Sequence, residues 1–431
     1  MSFSQALSGL NAARDQLGVL GNNIANSQTT GFKSSGVQFA DVYANSKVGL
    51  GVQVSGILQD FSGGNLESTG RDMDLAISGD GFFRFQQAGE VVYSRNGQLT
   101  MTPDGRLVNA QGANIMGYGL KDPANAFSGV ATGGQPTAIQ VPADDMAASA
   151  TTRVDSVYNL DASIDQTDPN LLKKTTLGTG LAAPNEAIDI NYHYSNSFIA
   201  YDSLGNAHNV NTYYEKTQDN EWKVRTSIDG KVNVDAGAPT EDSNVFTLNF
   251  DENGQLERTN GDITGVNGSD KFTLSLPVDN GAAEPLSVDF VLAGTTQFAN
   301  QSAAKSLTQN GYTSGALVGV TIEDDGSVMR HFSNEQSRAA GQIVLANFRN
   351  AEGLKPEGDN AWSATNASGQ ELVGVAGTGL LGTIEGKTLE TSNVDMADEL
   401  VSMIVAQRAY QANSQTIKTQ DEILQTAINL R

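Results

Sequence analysis

Three histidines, His193, His208 and His331, are the side chains here that could ligate a metal or act as a general base near neutral pH. They fall at no metal-ligand or triad spacing, so we expect surface or hydrogen-bonded residues on strands. Residues 251–254 and 324–326 place carboxylates beside glycine, but they do not meet the calcium-loop pattern. We expect hairpin turns at both places.

Other reactive groups are equally sparse. The chain has no cysteine, which removes thiol nucleophiles, disulfides and thiolate metal sites together. The glycine-rich stretch 78–81 has no strand-to-helix context and does not fit a phosphate-binding loop. No nucleophile is arranged with a base. The sequence therefore predicts a protein that is not an enzyme, with no cofactor and no metal.

Charge narrows the possible partners. A net charge of −23 over 431 residues argues against nucleic-acid binding and against adhesion to an anionic membrane. No segment approaches 18 apolar residues, so we expect no membrane insertion. The N-terminus has neither a basic region nor an unbroken apolar run, so we expect no cleaved signal peptide.

The elements that dominate the pattern are the two ends of the chain. Residues 1–27 read as a helix with an apolar seam of seven-residue period, typical of a coiled coil. Arg14 and Asp15 are the only charges among the first 30 residues, so this helix lacks a charged outer face. Burial in the core of its own domain is the alternative. The seam consists of Phe3, Leu10, Leu17 and Ile24, with Ala6, Ala13 and Leu20 three places after the first three.

Residues 393–431 read as a second, longer helix whose start is marked by Ser392 and Asp395 at capping-box spacing. A glutamine stripe on it is available to neighbouring helices or a channel, with an ordinary solvated face as the alternative. One column is apolar throughout: Met396, Met403, Tyr410, Ile417 and Leu424, flanked by Leu400, Ile404 and Ile428, while the stripe is Gln407, Gln411 and Gln415.

Between the ends, turn residues recur about every 8 to 12 positions, as in antiparallel β domains. The fold class we expect is mainly β: two antiparallel β domains, one inserted in the other, plus paired N- and C-terminal α-helices forming a coiled-coil-like inner domain. Residues 145–305 carry 23 acidic and 10 basic residues, which suits a solvent-facing lobe. The expected parts are a terminal helical assembly domain (1–30 and 387–431), an extended connector (31–70), a middle β domain (71–144 and 306–386) and an inserted outer β domain (145–305).

Several signatures identify the ends. Leu20–Asn26 with Thr30–Lys33, and Ser392–Asp395 with Glu399–Asn413, resemble the paired terminal signatures of bacterial flagellar rod, hook and hook-associated proteins. The resemblance extends through Tyr93–Gly97 and covers about 60% of the chain. Residues 145–305 have no clear match. Within the family the hook subunits fit best, because rod proteins lack room for a large insert.

The resemblance implies a structural subunit of the flagellar hook, a curved tube that acts as a universal joint between motor and filament. It implies a homo-oligomer of many copies and contacts with rod, hook cap and hook-filament junction proteins. It also implies passage through the flagellar type III export apparatus to an extracellular hook attached to the basal body. The alternatives are a distal rod or other axial protein, or a secreted β-rich binding protein.

The signature residues have a physical interpretation as an assembly interface. Asn22, Asn23 and Asn26 supply donors and acceptors that pair inside an uncharged assembly. Gly31 lets the chain leave the helix sharply, and Phe32 is an aromatic anchor against a neighbour; a helix end and a core phenylalanine are the alternative. The whole expected interface is Phe3, Leu10, Leu17, Leu20, Asn22, Asn23, Ile24, Asn26, Gly31, Phe32, Leu400, Met403, Ile404, Gln407, Tyr410, Gln411, Ile417 and Leu424.

Overall fold

A computed structural model shows a mainly β chain with one long helix near each end. It describes residues 3–42, 51–131, 133–179, 187–232, 234–235, 238–242, 244–259, 262–266, 268–276, 278, 280–283 and 285–429. By its contacts the chain divides into two compact units. The first comprises residues up to Asp144, Leu317–His331 and Gln336 onward; the second comprises Asp145–Ala316 and Phe332–Glu335.

The N-terminal part begins with helix α1, which ends at Ala25, two residues before the predicted end at 27. A hairpin and the first strands of a β domain follow. The elements are α1 (Phe3–Ala25), β1 (Ser35–Val42), β2 (Gly51–Gln59), β3 (Leu66–Ser68), β4 (Asp74–Ser78), β5 (Phe82–Gln87), β6 (Glu90–Ser94), β7 (Gly97–Gln98), β8 (Thr100–Met101), β9 (Leu107–Val108), β10 (Asn114–Tyr118) and β11 (Thr137–Ala138).

The second unit follows as a long series of strands. They are β12 (Arg153–Asp161), β13 (Lys173–Gly178), β14 (Ala187–Tyr192), β15 (Tyr194–Tyr201), β16 (Ala207–Gln218), β17 (Glu221–Ile228), β18 (Val234–Asp235), β19 (Ala238–Asp242), β20 (Val245–Asn249), β21 (Arg258–Thr259), β22 (Asp262–Ile263), β23 (Lys271–Leu276), β24 (Leu286–Val291), β25 (Thr296–Phe298) and β26 (Ala303–Gln309).

The chain then completes the first unit and ends in α2. These elements are β27 (Leu317–Ile322), β28 (Ser327–Phe332), β29 (Ser337–Asn347), a 3₁₀ turn (Ala351–Gly353), β30 (Lys355–Gly358), β31 (Ala361–Ser363), β32 (Leu372–Val375), β33 (Thr383–Gly386), β34 (Thr388–Glu390) and α2 (Met396–Asn429). No helix in the described part of the chain is long and apolar enough to cross a membrane.

The main sheet of the first unit mixes strands from before and after the second unit. Its strand order is β27-β28-β29-β10-β5-β6-β31-β30, and β29 pairs antiparallel with β28, β10 and β5. Phe83, Phe85 and Leu345 are fully buried beneath it. Because strands so far apart in sequence share one sheet, this domain closes only when the chain returns from the second unit.

The second unit has its own core around Trp222, Tyr158 and Tyr214, all fully buried. One sheet runs β15-β16-β17-β20 and is antiparallel. In the other, β12 pairs in parallel with β24 and β25 and antiparallel with β26. Entirely antiparallel pairing was expected, because turn signals report only strands joined by hairpins.

Two segments differ from the expected parts. Strand β26 spans the expected boundary at residue 305, and the second unit continues to Ala316. The expected extended connector contains the hairpin of β1 and β2, whose strands pair antiparallel from Ser35 opposite Gln59 onward. Residues 43–50 of that connector lie outside the described residues.

Candidate assembly surface

The two terminal helices pair along their lengths in opposite directions. Near one end, the Asn23 side-chain amide donates a hydrogen bond to Oε1 of Glu399 over 2.9 Å. Near the other, a Cβ placed on Gly9 would lie 2.8 Å from Nδ2 of Asn413, so the glycine allows close approach. The two contacts lie equally far apart on each helix. This spacing indicates an antiparallel pair in continuous register.

The face of α1 that carries Gly9 and Asn23 is made of small or buried side chains. Ala6, Ala13 and Leu20 lie at three- and four-residue spacing from these two residues and are buried. These are the residues of the predicted seam that follow the phenylalanine and leucine column by three positions. The pairing surface therefore joins the predicted column of Ala6, Ala13 and Leu20 to Asn23, which was expected at an interface, and to Gly9, which was not.

The β1–β2 hairpin covers another face of α1. The Ser8 hydroxyl accepts a hydrogen bond from the Val52 backbone N–H over 3.2 Å. At the other end, the Asn23 side chain donates to the Ser35 carbonyl and accepts from the Ser35 N–H, over 2.9 and 3.0 Å. Ala12, at helical spacing from Ser8, is buried. One helix thus packs against both the hairpin and α2.

The residues that the structure describes cover a third face of α1 only in part. Phe3 and Leu7 are exposed over 53% and 43% of their surface. Leu10, Leu17 and Ile24 are half-buried at the same helical spacing. We call Phe3, Leu7, Leu10, Leu17 and Ile24 the α1 stripe.

Helix α2 exposes more apolar surface still. Among its described residues only Ala406 is buried. The predicted column divides: Met403 and Ile417 are half-buried, whereas Met396, Tyr410 and Leu424 are exposed. Gln407, Gln411 and Gln415 are also exposed. The exposed large apolar residues other than Tyr410, which we call the α2 stripe, are Met396, Leu400, Val401, Ile404, Val405, Ile423, Leu424 and Ile428.

Helix α2 also outreaches its partner. It has 34 residues and α1 has 23, so their lengths are about 51 and 35 Å at about 1.5 Å per residue. In the antiparallel register, Ile423, Leu424 and Ile428 lie beyond the position opposite Phe3. The start of α2 is capped by Asp395, whose Oδ1 accepts from the N–H groups of Ala397 and Asp398. The helix begins three residues later than the predicted 393.

Several predicted interface residues are satisfied within the chain. Asn23 is fully buried, and its amide bonds are those to Ser35 and Glu399. Asn26 donates to the Asn22 carbonyl and side-chain oxygen over 3.0 Å, which closes the end of α1. A role for Asn23 between copies is corrected to one between elements of one copy, because no polar atom of it remains exposed.

Gly31 and Phe32 also belong to the chain's own packing. Gly31 has a φ of +68°, and a Cβ there would lie 2.7 Å from the Asn96 nitrogen, so two separate constraints require glycine. Its N–H donates to the Glu390 carbonyl over 2.8 Å. Phe32 is 8% exposed. The expected anchor against a neighbour is therefore a core phenylalanine.

The histidines take hydrogen-bonded positions. His331 lies on β28 between the hydroxyls of Thr321 and Ser337, at 2.7 and 2.8 Å. His193 lies between β14 and β15, and its Nδ1 accepts from the Lys216 backbone N–H over 3.0 Å. Its burial, together with nearby Lys216, lowers the pKa of His193.

His208, on β16, lies between two carboxylates. Its Nδ1 is 2.7 Å from Asp229 and its Nε2 is 3.2 Å from Asp202. Burial acts to lower the pKa of His208, but the bonds to Asp229 and Asp202 outweigh it and raise the pKa. Burial acts to raise the pKa of Asp202, but bonds from Asn206, Asn280 and His208 hold it well below its usual value.

Family models match the chain in four consecutive stretches. A model described as flagella basal body rod protein matches residues 4–33, and the flagellar hook protein FlgE/F/G D1 domain matches 76–156. The flagellar basal body protein FlaE D2 domain matches 159–312, and the flagellar basal body rod FlgEFG protein C-terminal model matches 385–430. Together with the paired end helices and two β units, these matches define a flagellar axial protein.

Relatives narrow this class. The flagellar hook protein FlgE of Escherichia coli K12 is 46% identical over 437 residues, and that of Salmonella typhimurium LT2 is 47% identical over 436, with all of each chain covered. The Treponema pallidum hook protein is 30% identical, covering all of this chain and 99% of its own. This chain belongs to the flagellar hook protein family, and it is a structural subunit of the hook.

A solved structure agrees in fold. The crystal structure of the Helicobacter pylori flagellar hook protein FlgE2 aligns with a TM-score of 0.50 at 15% identity. The alignment covers 75% of this chain and all of that chain. The mainly β fold class is confirmed.

Some residues of the helix pair were not singled out from the sequence. Gly9 is one of three glycines in α1, and the sequence does not distinguish it from Gly18 and Gly21, where an added Cβ would meet nothing within 4 Å. Val401 and Val405 were missed because they lie beside the column of seven-residue period. Lys33, Arg95 and Glu390, which are buried, carry charge within segments otherwise dominated by neutral residues.

Proposed function

We propose that the α1 stripe and the α2 stripe are the surfaces through which copies of this chain pack into the hook tube. The observation that carries the proposal is the exposure of the α2 stripe, where Val401 and Val405 expose 61% and 62% of their surface. Several large apolar side chains exposed close together on one helix mark an interaction site.

The partner that fits these stripes is a second copy. Both stripes are apolar and lie along a helix, and the residues of the α2 stripe gather in the first turns and in the last turns of α2. Apolar helix faces of this kind pack against others like themselves. Membership of the hook family supplies many identical copies. Pairing of α1 with α2 covers one face of each helix and leaves the stripes for neighbours. The terminal helices would thereby form the inner wall of the tube.

The two β units would have different roles in a universal joint. The first unit's main sheet would form a stiff body, since its buried aromatic residues are densely packed. The acidic second unit would lie on the outside, where polar contacts between copies slide as a bent tube rotates. The tube would transmit torque from motor to filament while remaining flexible.

The same proposal includes the contacts at the two ends of the tube and the export route of the chain. The first and last copies would contact rod, hook cap and hook-filament junction proteins. The chain would leave through the flagellar type III export apparatus with its N-terminus intact. Mass spectrometry of hooks should find a chain that starts at or next to Met1. Loss of 15 to 30 N-terminal residues, the length of a signal peptide, would refute this route.

Charge placed in either stripe tests the interface. Val405→Asp and Leu17→Asp would each bury an unpaired carboxylate once per copy, which typically costs several kcal/mol. Both variants should fail to sediment as tubes while the β units keep their melting temperature. Leu204→Asp is the matched control, since Leu204 is 59% exposed in the second unit. Normal tubes from Val405→Asp and Leu17→Asp would show that the stripes are not the packing surface.

A further inference from the structure

A buried carboxylate, that of Glu390, joins the helical ends to the β domain. Glu390 closes strand β34, six positions before α2 begins, and its side chain is 1% exposed. Oε1 accepts from the Lys33 ammonium over 2.6 Å and from the Gly64 N–H over 2.9 Å. Oε2 accepts from Arg95 over 3.3 Å. Three segments that are distant in sequence therefore meet on one side chain.

Each cation in this cluster also holds a second part of the chain. Lys33 donates to the Ser62 carbonyl over 2.6 Å. Arg95 donates to the Gly79 carbonyl over 3.0 Å, and its guanidinium lies 5.4 Å from the centre of the Phe82 ring. Lys33 follows α1, whereas Arg95, Gly79 and Phe82 belong to the β domain. The cluster therefore bonds the segment that follows α1 and the segment that precedes α2 to the same part of the β domain.

The backbone around the cluster repeats these links. Besides the Gly31 bond to the Glu390 carbonyl, the Ser34 N–H donates to Oδ1 of Asn393 over 2.8 Å. The Asn393 amide donates in turn to the Asp60 carbonyl over 2.9 Å. The chain leaving α1 and the chain entering α2 are thus bonded to each other on both sides of Lys33.

An ion cluster of this kind adds little stability over apolar packing. Taking the charges out of water costs about as much as their attraction returns, and apolar residues of similar size often replace such clusters without loss. What the cluster provides is direction, because one carboxylate accepts from donors on three segments in one geometry. A geometric role therefore accounts for it better than a gain in stability.

We infer that Glu390, with Lys33 and Arg95, is a positioning joint that fixes the directions in which α1 and α2 leave the β domain. It thereby sets the orientation at which each copy presents its stripes to its neighbours. This inference rests on the proposed packing of the stripes. It adds residues outside the stripes whose effect on assembly is indirect.

The rate of trypsin cleavage in the unassembled full chain tests the joint. Lys33 and Arg95 are potential cleavage sites, and the joint buries both of them. Cleavage after Arg14 and Arg408, which lie on exposed helix faces, supplies an internal reference. Glu390→Gln removes the charge at constant size, and we expect cleavage after Lys33 to accelerate about tenfold or more relative to those references. Glu357→Gln makes the same change in the exposed Lys355–Glu357 pair and should leave the pattern unchanged.

Tube geometry separates positioning from stability. The triple variant Lys33→Met, Arg95→Met, Glu390→Gln removes all three charges and keeps an acceptor for the Gly64 N–H. Its tubes are examined well below its own melting temperature, so that a loss of stability is not read as a change of geometry. We expect its tubes to be absent or to have an altered helical rise and twist by electron microscopy. Glu390→Asp, one methylene shorter, tests the same point if the triple variant does not fold.

Two results would overturn the inference. One is tubes of parental rise and twist from the triple variant, or from Glu390→Asp if that variant is used. The other is unchanged protection of Lys33 in Glu390→Gln. Protection of Lys33 from trypsin is measured in unassembled chains. A negative result there would contradict the joint alone. The packing of the stripes is tested separately, by the aspartate variants of Val405 and Leu17.

Discussion

The side-chain amide of Asn23 donates to the carboxylate of Glu399 over 2.9 Å, although 376 positions separate the two residues. The bond ties the last turns of α1 to the first turn of α2. Asn23 simultaneously bonds both backbone groups of Ser35, at the start of the hairpin. One buried amide therefore holds together the three elements that carry and support the α1 stripe.

Close approach of the helices depends on Gly9. In Gly9→Val the added side chain would meet the end of the Asn413 side chain, which must turn away from the helix contact, so helical content and tube yield should both fall modestly. Adding Asn413→Ala should restore part of the loss, because it removes the atoms that the valine meets. Circular dichroism and sedimentation measure the two effects.

Gly18→Val is the matched control for that substitution. A Cβ at Gly18 meets nothing within 4 Å. Because valine has a higher helix propensity than glycine, this variant should keep its tubes and its helix stability. If Gly9→Val and Gly18→Val behave alike, the antiparallel pairing described above is contradicted.

The contribution of His208 to the stability of the second unit should fall as pH rises past neutral. The folded pKa of His208 is raised above its ordinary value of about 6.5, so its contribution is complete below that value and is lost as pH rises through the folded pKa. Asp202 acts oppositely: its folded pKa is depressed, so its contribution is present above 3.8 and is lost as pH falls. The free energy of unfolding, measured with urea between pH 6 and 9, should show the contribution of His208.

Trp222 fluorescence in a Trp362→Phe background reports the second unit alone, since these are the only tryptophans and Trp222 lies in its core. His208→Asn should flatten the fall of stability above pH 6.5. His331→Asn should not, because His331 belongs to the first unit. An equally steep fall in His208→Asn would refute the assignment.

Removal of the second unit should leave tube formation intact. Deletion of residues 145–316, bridged by a short Gly-Ser linker, keeps β27 and the main sheet of the first unit whole. If this unit lies outside and its contacts control bending, the tubes should form but lose their normal curvature in electron micrographs. If the deletion variant forms no tubes, the second unit is part of the tube wall. If its tubes keep their normal curvature, the second unit has no role in bending.

Periodicity predicted what depends on local chemistry. The two terminal helices, the buried column of Ala6, Ala13 and Leu20, and the hairpins follow from side-chain spacing and turn residues. The same reasoning put Phe32 and Asn23 between copies, because a pattern shows that a side chain needs a partner without showing which molecule supplies it.

Contacts between residues far apart in the sequence leave no local sequence signal. Strand β12 pairs in parallel with β24 across more than a hundred residues, and no turn sequence marks that contact. Likewise Lys33, Arg95 and Glu390 each read as an isolated charge. Their meeting is fixed by the closure of the β domain, which depends on the whole chain.

The most direct test of stripe packing is thiol labelling, which the absence of native cysteine makes specific. Val405→Cys should react with a maleimide quickly in dispersed subunits and about tenfold or more slowly in tubes, because neighbouring copies cover the α2 stripe. Leu204→Cys, on the second unit, should react at similar rates in both states. Equal rates for Val405→Cys in subunits and tubes would contradict the packing of copies through their terminal helices.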